Sequence, residues 1–257
     1  MEQPNAWLLN LSSLAEEIPT QWFNRLSDDE KQRANSLTHT QRRRNYIASH
    51  ALAYWALESF YGIENIGWHI ASEGQPKVSH NFLTDNLIPQ ISLSHSGNLV
   101  LCAISSANTL IGCDIENRKA RHNALPIAKH FFTEIEYQHL LQLQESNQAA
   151  ELENYFYQCW TGKEAWLKAQ GLGIANGLKL ISVLPAEFTL ADKDLENWQL
   201  HTTGNEQYCL SIALRTAKNN LPVETVLLNE ARWDSTNFCP GKTLHSLRQL
   251  AANSKFD

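Results

Sequence analysis

The stretch Leu110-Ile111-Gly112-Cys113-Asp114-Ile115-Glu116 is predicted to form a β-strand with two chemically different faces. Side chains two residues apart on a strand point to the same face, so Asp114 and Glu116 project together. Cys113 and Ile115 then face a core. Two adjacent carboxylates repel each other, and Mg²⁺ would offset this repulsion because it takes oxygen ligands from carboxylates and phosphates. Taken alone, the short D-x-E pattern also fits two solvated acids at the end of a strand.

A second segment with charged residues is Trp160-Thr161-Gly162-Lys163-Glu164-Ala165-Trp166-Leu167-Lys168, within a helix predicted over 151–170. Glu164 and Lys168 are four residues apart and therefore share one face of that helix. The simplest interpretation is an exposed ion pair, which contributes little to stability. Aromatic residues surround the pair, and charges in such surroundings more often line a cleft. They are Tyr155, Phe156, Trp160 and Trp166.

A polar turn, Ser94-His95-Ser96-Gly97-Asn98, joins strands predicted over 91–94 and 99–105. The hydroxyls, the imidazole and the backbone N–H groups of such a turn can donate hydrogen bonds to phosphate oxygens. A single histidine in a turn is usually only a turn residue, so this segment gains meaning only together with the other two.

Helices and short strands alternate along the rest of the chain, which predicts an α+β fold with two sub-domains. Ser27 and Glu30 form a capping-box pattern at a helix start. Further helices are predicted over 41–61 and 127–143, and further strands over 67–71, 179–184, 198–203, 207–214 and 224–228. The predicted units are 1–107, 108–216 and a C-terminal extension, 217–257. In that extension Leu244, Leu247 and Leu250 indicate a short amphipathic helix.

Composition excludes several classes of protein. The formal net charge of the 257-residue chain is −6, which argues against a general nucleic-acid coat protein. The sequence contains no apolar run long enough to span a membrane, and its first residues lack the pattern of a secretion signal. The cysteine count is five, an odd number, and no C-x-x-C pair occurs. We therefore expect a reduced, cytoplasmic monomer that binds neither nucleic acid nor membrane.

Together these segments resemble the 4′-phosphopantetheinyl transferase superfamily, in particular its surfactin-type branch. The family pattern contains a G-K-P turn, a Ser-His-Ser-Gly turn, a G-[IV]-D-[IV]-E strand, an F-F-[ST]-x-x-E-Y helix and a W-x-x-K-E-[AS]-x-x-K helix. The corresponding segments here are 74–76, 94–97, 112–116, 131–137 and 160–168, within a resemblance that covers about residues 25–215. It implies two similar α/β sub-domains in a pseudo-two-fold arrangement.

The resemblance implies a reaction as well. The phosphopantetheine arm of coenzyme A would pass to a serine of an acyl or peptidyl carrier protein, with release of adenosine 3′,5′-bisphosphate. Asp114, Glu116 and Glu164 would hold Mg²⁺, and Glu164 would also be the general base. Lys163 and Lys168 would neutralise phosphate oxygens, with Lys168 counted among the catalytic residues. The other coenzyme A contacts implied are those of Arg44, Ser94 and His95.

Two departures from the family pattern concern core packing and nucleotide binding. The residue between Gly112 and Asp114 is Cys113 instead of Ile or Val, a mild change at a core-facing position. The lysine of the G-K-P turn is Gln75 here, and Lys77 lies two residues further along. Lys77 is the expected substitute near the 3′-phosphate of coenzyme A.

Carrier proteins of this class are typically acidic, so an acidic enzyme needs a local basic patch to dock one. The predicted docking residues are Arg118, Lys119, Arg121, Lys129, Phe131 and Phe132. Two alternative functions remain at this point. One is a Mg²⁺-dependent pyrophosphate hydrolase, which would leave the Ser-His-Ser-Gly turn and the Lys-Glu helix unexplained. The other is a homologue that binds coenzyme A or a carrier without turnover.

Overall fold

The computed structural model has helices in both halves of the chain. It describes residues 3–14, 17–61, 69–70, 76–79, 87–118, 123–172, 177–184, 187–190, 197–216, 225–233, 238–248 and 251–252. The helices of these ranges are α1 (Thr20–Arg25), α2 (Asp28–Ser36), α3 (Thr40–Tyr61), α4 (Ala124–Phe131), α5 (Glu134–Glu145) and α6 (Ala149–Gln170). The predicted capping box is confirmed at α2, where Ser27 and Glu30 each accept a hydrogen bond from the other's backbone N–H.

The strands form two main sheets and two small ones. They are β1 (Asn5–Asn10), β2 (His69–Ile70), β3 (Val78–Ser79), β4 (Gln90–Ser96), β5 (Leu99–Ser105), β6 (Thr109–Asn117), β7 (Ile181–Leu184), β8 (Glu187–Leu190), β9 (Trp198–Gly204), β10 (Tyr208–Thr216), β11 (Thr225–Trp233), β12 (Phe238–Arg248) and β13 (Ala251–Ala252). The first main sheet has the order β12-β11-β1-β5-β4, and the second has the order β6-β10-β9. The α+β prediction is confirmed.

The first sheet combines the two ends of the chain. Strand β1 pairs with β5 in antiparallel fashion and with β11 in parallel fashion, so C-terminal strands complete the N-terminal sheet. One face of this sheet packs against α1 and α3 around Trp7, Trp22 and Leu52. Strands β11 and β12, which come from the segment 217–257, are part of the first sheet. The short amphipathic helix predicted in that segment is wrong, because Leu244 and Leu247 lie in strand β12. Leu250 lies outside the described residues.

The second sheet supports the long helix α6, which packs on β6 and β10. The contact is close because Gly112 of β6 lies directly against the backbone of Ala165 and Ala169. A separate apolar core forms on this side, with Phe132, Phe156 and Leu200 among its buried members. Helix α6 ends at Gly171, which adopts a left-handed conformation with φ of 68°.

A third core lies between the two sheets. Leu8 and Leu101 of the first sheet belong to the same buried cluster as Cys113, Ile115 and Leu210 of the second. The layers therefore follow one another as helices, first sheet, second sheet and helices. Burial raises the pKa of Cys113 to about 11, which is typical of an inert thiol inside a core.

Some predicted elements differ from those in the structure. The helix predicted over 127–143 is divided into α4 and α5, because Thr133 and Glu136 form a second capping box that starts a new helix. Strands β1 and β8 have no counterpart among the predicted elements. Among the helices in the described ranges, none combines the length and the apolar character that a membrane span requires.

Candidate functional site

Strand β6 presents its two acids as the alternation of side chains predicts. Cys113 and Ile115 are buried in the core between the sheets, and Asp114 points the other way, towards α6. Asp114 is 6% exposed, and its Oδ1 accepts hydrogen bonds from Ser94 Oγ at 2.7 Å and from Lys168 Nζ at 2.7 Å. Glu116 is half-buried, and its Oε2 accepts from Ser96 Oγ at 2.9 Å.

Helix α6 brings Glu164 and Lys168 to the same region. Glu164 is 6% exposed. Burial raises its pKa to about 7, helped by the negative charges of Asp114 and Glu116 and opposed by Lys168. Burial opposes the charge of Lys168, yet the carboxylate of Asp114 raises its pKa above the ordinary value, so it stays protonated at neutral pH. The site therefore combines a carboxyl group that titrates near neutrality with a fixed positive charge.

The Ser-His-Ser-Gly turn contacts helix α3 through Asn45. The amide nitrogen Nδ2 of Asn45 donates to the carbonyl oxygen of Gly97 at 3.0 Å and lies 3.4 Å from Nδ1 of His95. Because the Gly97 carbonyl can only accept, the Asn45 amide is oriented with its nitrogen towards His95. This orientation favours His95 Nδ1 as the acceptor and therefore the neutral tautomer with its hydrogen on Nε2.

His95 is an exposed residue, and its ring lies near the charged groups Lys168 and Asp114. Loss of hydration at the ring and the positive charge of Lys168 lower the pKa of His95. The imidazole is therefore neutral at pH 7 and has its Nε2–H available as a hydrogen-bond donor.

Ser94 and Lys163 each contact an acidic residue of the protein. The hydroxyl of Ser94 donates to Asp114, and its expected contact with coenzyme A stays a prediction. The side chain of Lys163 is fully buried and forms an ion pair with Glu136 at 2.8 Å. Its ammonium also donates to the carbonyl oxygens of Leu178 and Ile181. Lys163 lies in the core of the second half, so the prediction that it neutralises phosphate oxygens is wrong.

The residues predicted to bind the nucleotide lie elsewhere on the first half. Arg44 donates to the carbonyl oxygen of Leu11 at 2.9 Å and lines, with Arg43 and Phe23, a cavity of about 480 Å³. Lys77 is exposed and directly precedes the short strand β3. Gly74 and Gln75 lie outside the described residues.

The predicted docking residues divide into buried and exposed ones. Phe132 is 2% exposed and stacks on Phe156, so it belongs to the core and the expectation that it docks a carrier is wrong. Arg118 is half-buried and donates to Asn154 at 2.6 Å. Lys129 is exposed and Phe131 half-exposed. Lys119 and Arg121 lie outside the described residues.

Comparison with known proteins identifies the family. The pattern of the 4′-phosphopantetheinyl transferase superfamily matches residues 110–213. The chain is 31% identical to the 4′-phosphopantetheinyl transferase HetI of Nostoc sp. strain PCC 7120 over 190 residues, which are 73% of this chain and 73% of HetI. The chain belongs to the 4′-phosphopantetheinyl transferase superfamily.

Two further relatives carry the same enzyme name. The 4′-phosphopantetheinyl transferase Sfp of Bacillus subtilis is 27% identical over 170 residues, which are 66% of this chain and 71% of Sfp. The 4′-phosphopantetheinyl transferase psf-1 of Bacillus pumilus is 44% identical over 118 residues, which are 45% of this chain and 44% of psf-1. The match to Sfp is consistent with the surfactin-type branch.

The acidic residues suit a hard divalent cation. Oδ2 of Asp114 is buried and has no hydrogen-bond partner among the described residues, so it is free to coordinate a metal ion. Within those same ranges, no three His, Cys, Asp or Glu side chains form a ready-made metal cluster. In this arrangement the ammonium of Lys168 supplies the positive charge beside Asp114.

Sequence reasoning missed two contributors to the site. Asn45 contacts His95, and Ser96 donates to Glu116. It also missed Glu136, which neutralises Lys163 in the core of the second half. The signal for Ser96 was present, because Ser92, Ser94 and Ser96 alternate along β4 and must share one face of that strand.

Proposed function

We propose that the protein transfers the 4′-phosphopantetheine arm of coenzyme A to a serine hydroxyl of an apo carrier protein. The observation that carries the proposal is the convergence of Asp114, Glu164 and Lys168 beside the Ser-His-Ser-Gly turn in a member of this family. The oxygen of the carrier serine would attack the phosphorus next to the pantetheine arm. The bond to the second phosphate would break, and adenosine 3′,5′-bisphosphate would leave.

The three carboxylates are proposed to hold Mg²⁺, with Asp114, Glu116 and Glu164 as its ligands. The orphaned, buried Oδ2 of Asp114 supports this assignment. When bound, Mg²⁺ would act as a Lewis acid on the pyrophosphate of coenzyme A. Lys168 would add a second positive charge towards the phosphate oxygens, where charge accumulates during phosphoryl transfer.

Glu164 is the proposed general base. Its carboxylate lies near Asp114 and Lys168 in the site, where it would accept the proton of the carrier serine as the new bond to phosphorus forms. This proton transfer is direct in the simplest form of the mechanism, and a single bridging water would extend its reach.

Coenzyme A is proposed to lie across the first half of the protein. The neutral ring of His95 has its Nε2–H available to donate to a phosphate oxygen. The cavity beside Arg43 and Arg44 places two guanidinium groups where the negatively charged 3′-phosphate end could lie. Lys77, which is exposed, is the remaining candidate for the lysine that the family has at the position of Gln75.

The carrier is proposed to dock at the start of the second half, near Arg118, Lys119, Arg121, Lys129 and Phe131. Lys129 is the best position for a test because it is exposed. Arg118 is a poorer choice, since its bond to Asn154 gives it a structural role. We expect Lys129→Glu to raise KM for the carrier several-fold and leave KM for coenzyme A unchanged; an unchanged carrier KM would contradict this docking surface.

The proposed activity is tested by mass spectrometry. The protein is incubated with Mg²⁺, coenzyme A and an apo carrier protein, and the carrier is then weighed. A gain of one phosphopantetheine group supports transfer. Cleaved coenzyme A with an unmodified carrier would indicate the hydrolase, and no change in either would indicate a non-catalytic binder. Glu164→Gln should abolish the mass gain, whereas Glu151→Gln, an exposed position on the same helix, should not.

We also propose that the two halves, 1–107 and 108–216, are related by a pseudo-two-fold axis. The packing of helices on the outer face of each main sheet supports this relation. A cytoplasmic location remains our expectation, supported by the buried free thiols of the described cysteines, which include Cys102 and Cys159.

A further inference from the structure

The edge strands β4 and β6 meet where the two main sheets come together. They belong to different sheets, yet hydroxyl groups bridge them in a regular series. Ser92 Oγ accepts from the backbone N–H of Cys113 at 2.9 Å. Ser94 Oγ accepts from that of Ile115 at 3.3 Å, and Ser96 Oγ accepts from that of Asn117 at 3.0 Å.

This serine ladder, defined as Ser92, Ser94 and Ser96, replaces the backbone hydrogen bonds of an ordinary sheet. Each step of two residues along β4 is matched by a step of two along β6, so the strands run in the same direction with one fixed register. A slip by one residue would turn the serines away from β6, so the ladder also sets this register.

Two members of the ladder donate a hydrogen bond from their hydroxyl group to an acidic residue of the site. A hydroxyl has one hydrogen to donate, and a hydroxyl that already accepts a backbone N–H directs that hydrogen elsewhere. For Ser94 the acceptor is Oδ1 of Asp114 at 2.7 Å, and for Ser96 it is Oε2 of Glu116 at 2.9 Å. In the same register, Ser92 lies next to Gly112, which has no side chain.

We propose that Ser94 and Ser96 are positioning residues that orient Asp114 and Glu116 for the metal-bound pyrophosphate of coenzyme A. Ser94 holds Oδ1 of Asp114, whose buried Oδ2 has no hydrogen-bond partner among the described residues, and Ser96 holds Oε2 of Glu116. Hydrogen-bond partners that orient metal-ligating carboxylates commonly change metal affinity 10- to 100-fold when they are removed. The proposal rests on the proposed function of the site.

The ladder also links the two halves of the site. His95 lies between Ser94 and Ser96 on β4, and its ring points to Asn45 of α3 on the opposite face of the strand. One strand thus carries the proposed phosphate donor on one face and the supports of the carboxylates on the other. The proposed contact of coenzyme A at His95 and the proposed Mg²⁺ ligands Asp114 and Glu116 would thus be held at a fixed spacing by Ser94, His95 and Ser96.

The test compares Ser96→Ala with Ser92→Ala. Both variants remove one rung of the ladder, but only Ser96 contacts a carboxylate. Binding of coenzyme A is titrated calorimetrically at a series of Mg²⁺ concentrations without any carrier, and Tm is measured for each variant. We expect Ser96→Ala to raise the Mg²⁺ concentration for half-maximal binding about 10-fold. Ser92→Ala should lower Tm and leave that concentration unchanged, and Ser96→Thr, which keeps the hydroxyl, should behave like the wild type.

Equal Mg²⁺ requirements in Ser92→Ala and Ser96→Ala would overturn the proposal, because the ladder would then serve the fold alone. Failure of Ser96→Thr to restore the wild-type requirement would also contradict it. A wild-type protein that binds coenzyme A with Mg²⁺ but never modifies a carrier would instead refute the proposed transfer. The calorimetric comparison would still decide the role of Ser96 in that case.

Discussion

The ionised form of Glu164, which the proposed reaction requires, lowers the stability of the folded protein. Burial and the charges of Asp114 and Glu116 raise its pKa from the ordinary value of 4.5 to about 7, so the folded protein prefers the protonated carboxyl group. The folded state therefore loses stability as the pH rises from about 4.5 through about 7, by at most about 3 kcal/mol. Glu164→Gln should raise the free energy of unfolding at pH 8 in a metal chelator and abolish transfer.

The pH dependence of the stability gain distinguishes charge repulsion at Glu164 from a general effect of the Glu164→Gln substitution. Below about pH 4.5 the carboxyl group is neutral in both the folded and the unfolded state. The advantage of Glu164→Gln should therefore disappear there. Denaturant unfolding at pH 8 and at pH 4 measures both values, and an equal gain at the two pH values would contradict the proposed charge repulsion.

Helix α6 carries two lysines of one motif with different roles. Lys163 faces the core and neutralises Glu136, whereas Lys168 faces the site and contacts Asp114. Lys163→Met should lower the free energy of unfolding by about 3–5 kcal/mol, because it leaves a buried carboxylate without its partner. Lys168→Met should cost much less stability but lower kcat/KM for coenzyme A. Chemical denaturation and steady-state kinetics of both variants check this, and similar losses of stability would contradict it.

The contact of strand β6 with α6 depends on Gly112. A Cβ atom at this position would overlap the carbonyl oxygen of Ala165 and the backbone nitrogen of Ala169. In Gly112→Ala the helix must move away from the strand, taking Glu164 with it. A displacement of about 1 Å can cost a factor of about 100 in rate, so we expect at least that loss of kcat. Gly204→Ala is the control for a backbone clash, because its Cβ would meet Tyr208, Cys209 and Arg118 and not helix α6, and it should keep most of kcat.

At the scale of elements, local patterns were predictable and long-range ones were not. The alternation in β6 and the spacing of Glu164 and Lys168 predicted the faces that the structure shows. The break between α4 and α5 had a local signal as well, since Thr133 and Glu136 form a capping box. Strand β1 was missed because its partner β11 lies more than 200 residues away in the chain. Spacing along the sequence also gave no sign that Lys163 would face Glu136.

The C-terminal strands β11 and β12 complete the first sheet and its apolar core. Phe238 of β12 stacks on Trp22 with ring centroids 4.8 Å apart, and it also contacts Trp55 and Trp233. This aromatic group joins strands β11 and β12 to helices α1 and α3 of the first half. The proposed nucleotide site near Arg44 lies on the same helix α3. The C-terminal segment should therefore be essential to the half that we propose binds coenzyme A.

Phe238→Ala tests this aromatic contact between β12 and the helices without removing any backbone. Phe238 is 5% exposed, and truncation of a buried phenylalanine costs about 3–5 kcal/mol. We expect a loss of that size in the free energy of unfolding, and the matched control Ile135→Ala, at a side chain 48% exposed, should change it by less than about 0.5 kcal/mol. Tryptophan fluorescence follows the transition directly, since Trp22, Trp55 and Trp233 surround the ring. A Phe238→Ala variant as stable as the wild type would mean that the C-terminal strands are dispensable, because their central aromatic contact would then contribute nothing to folding.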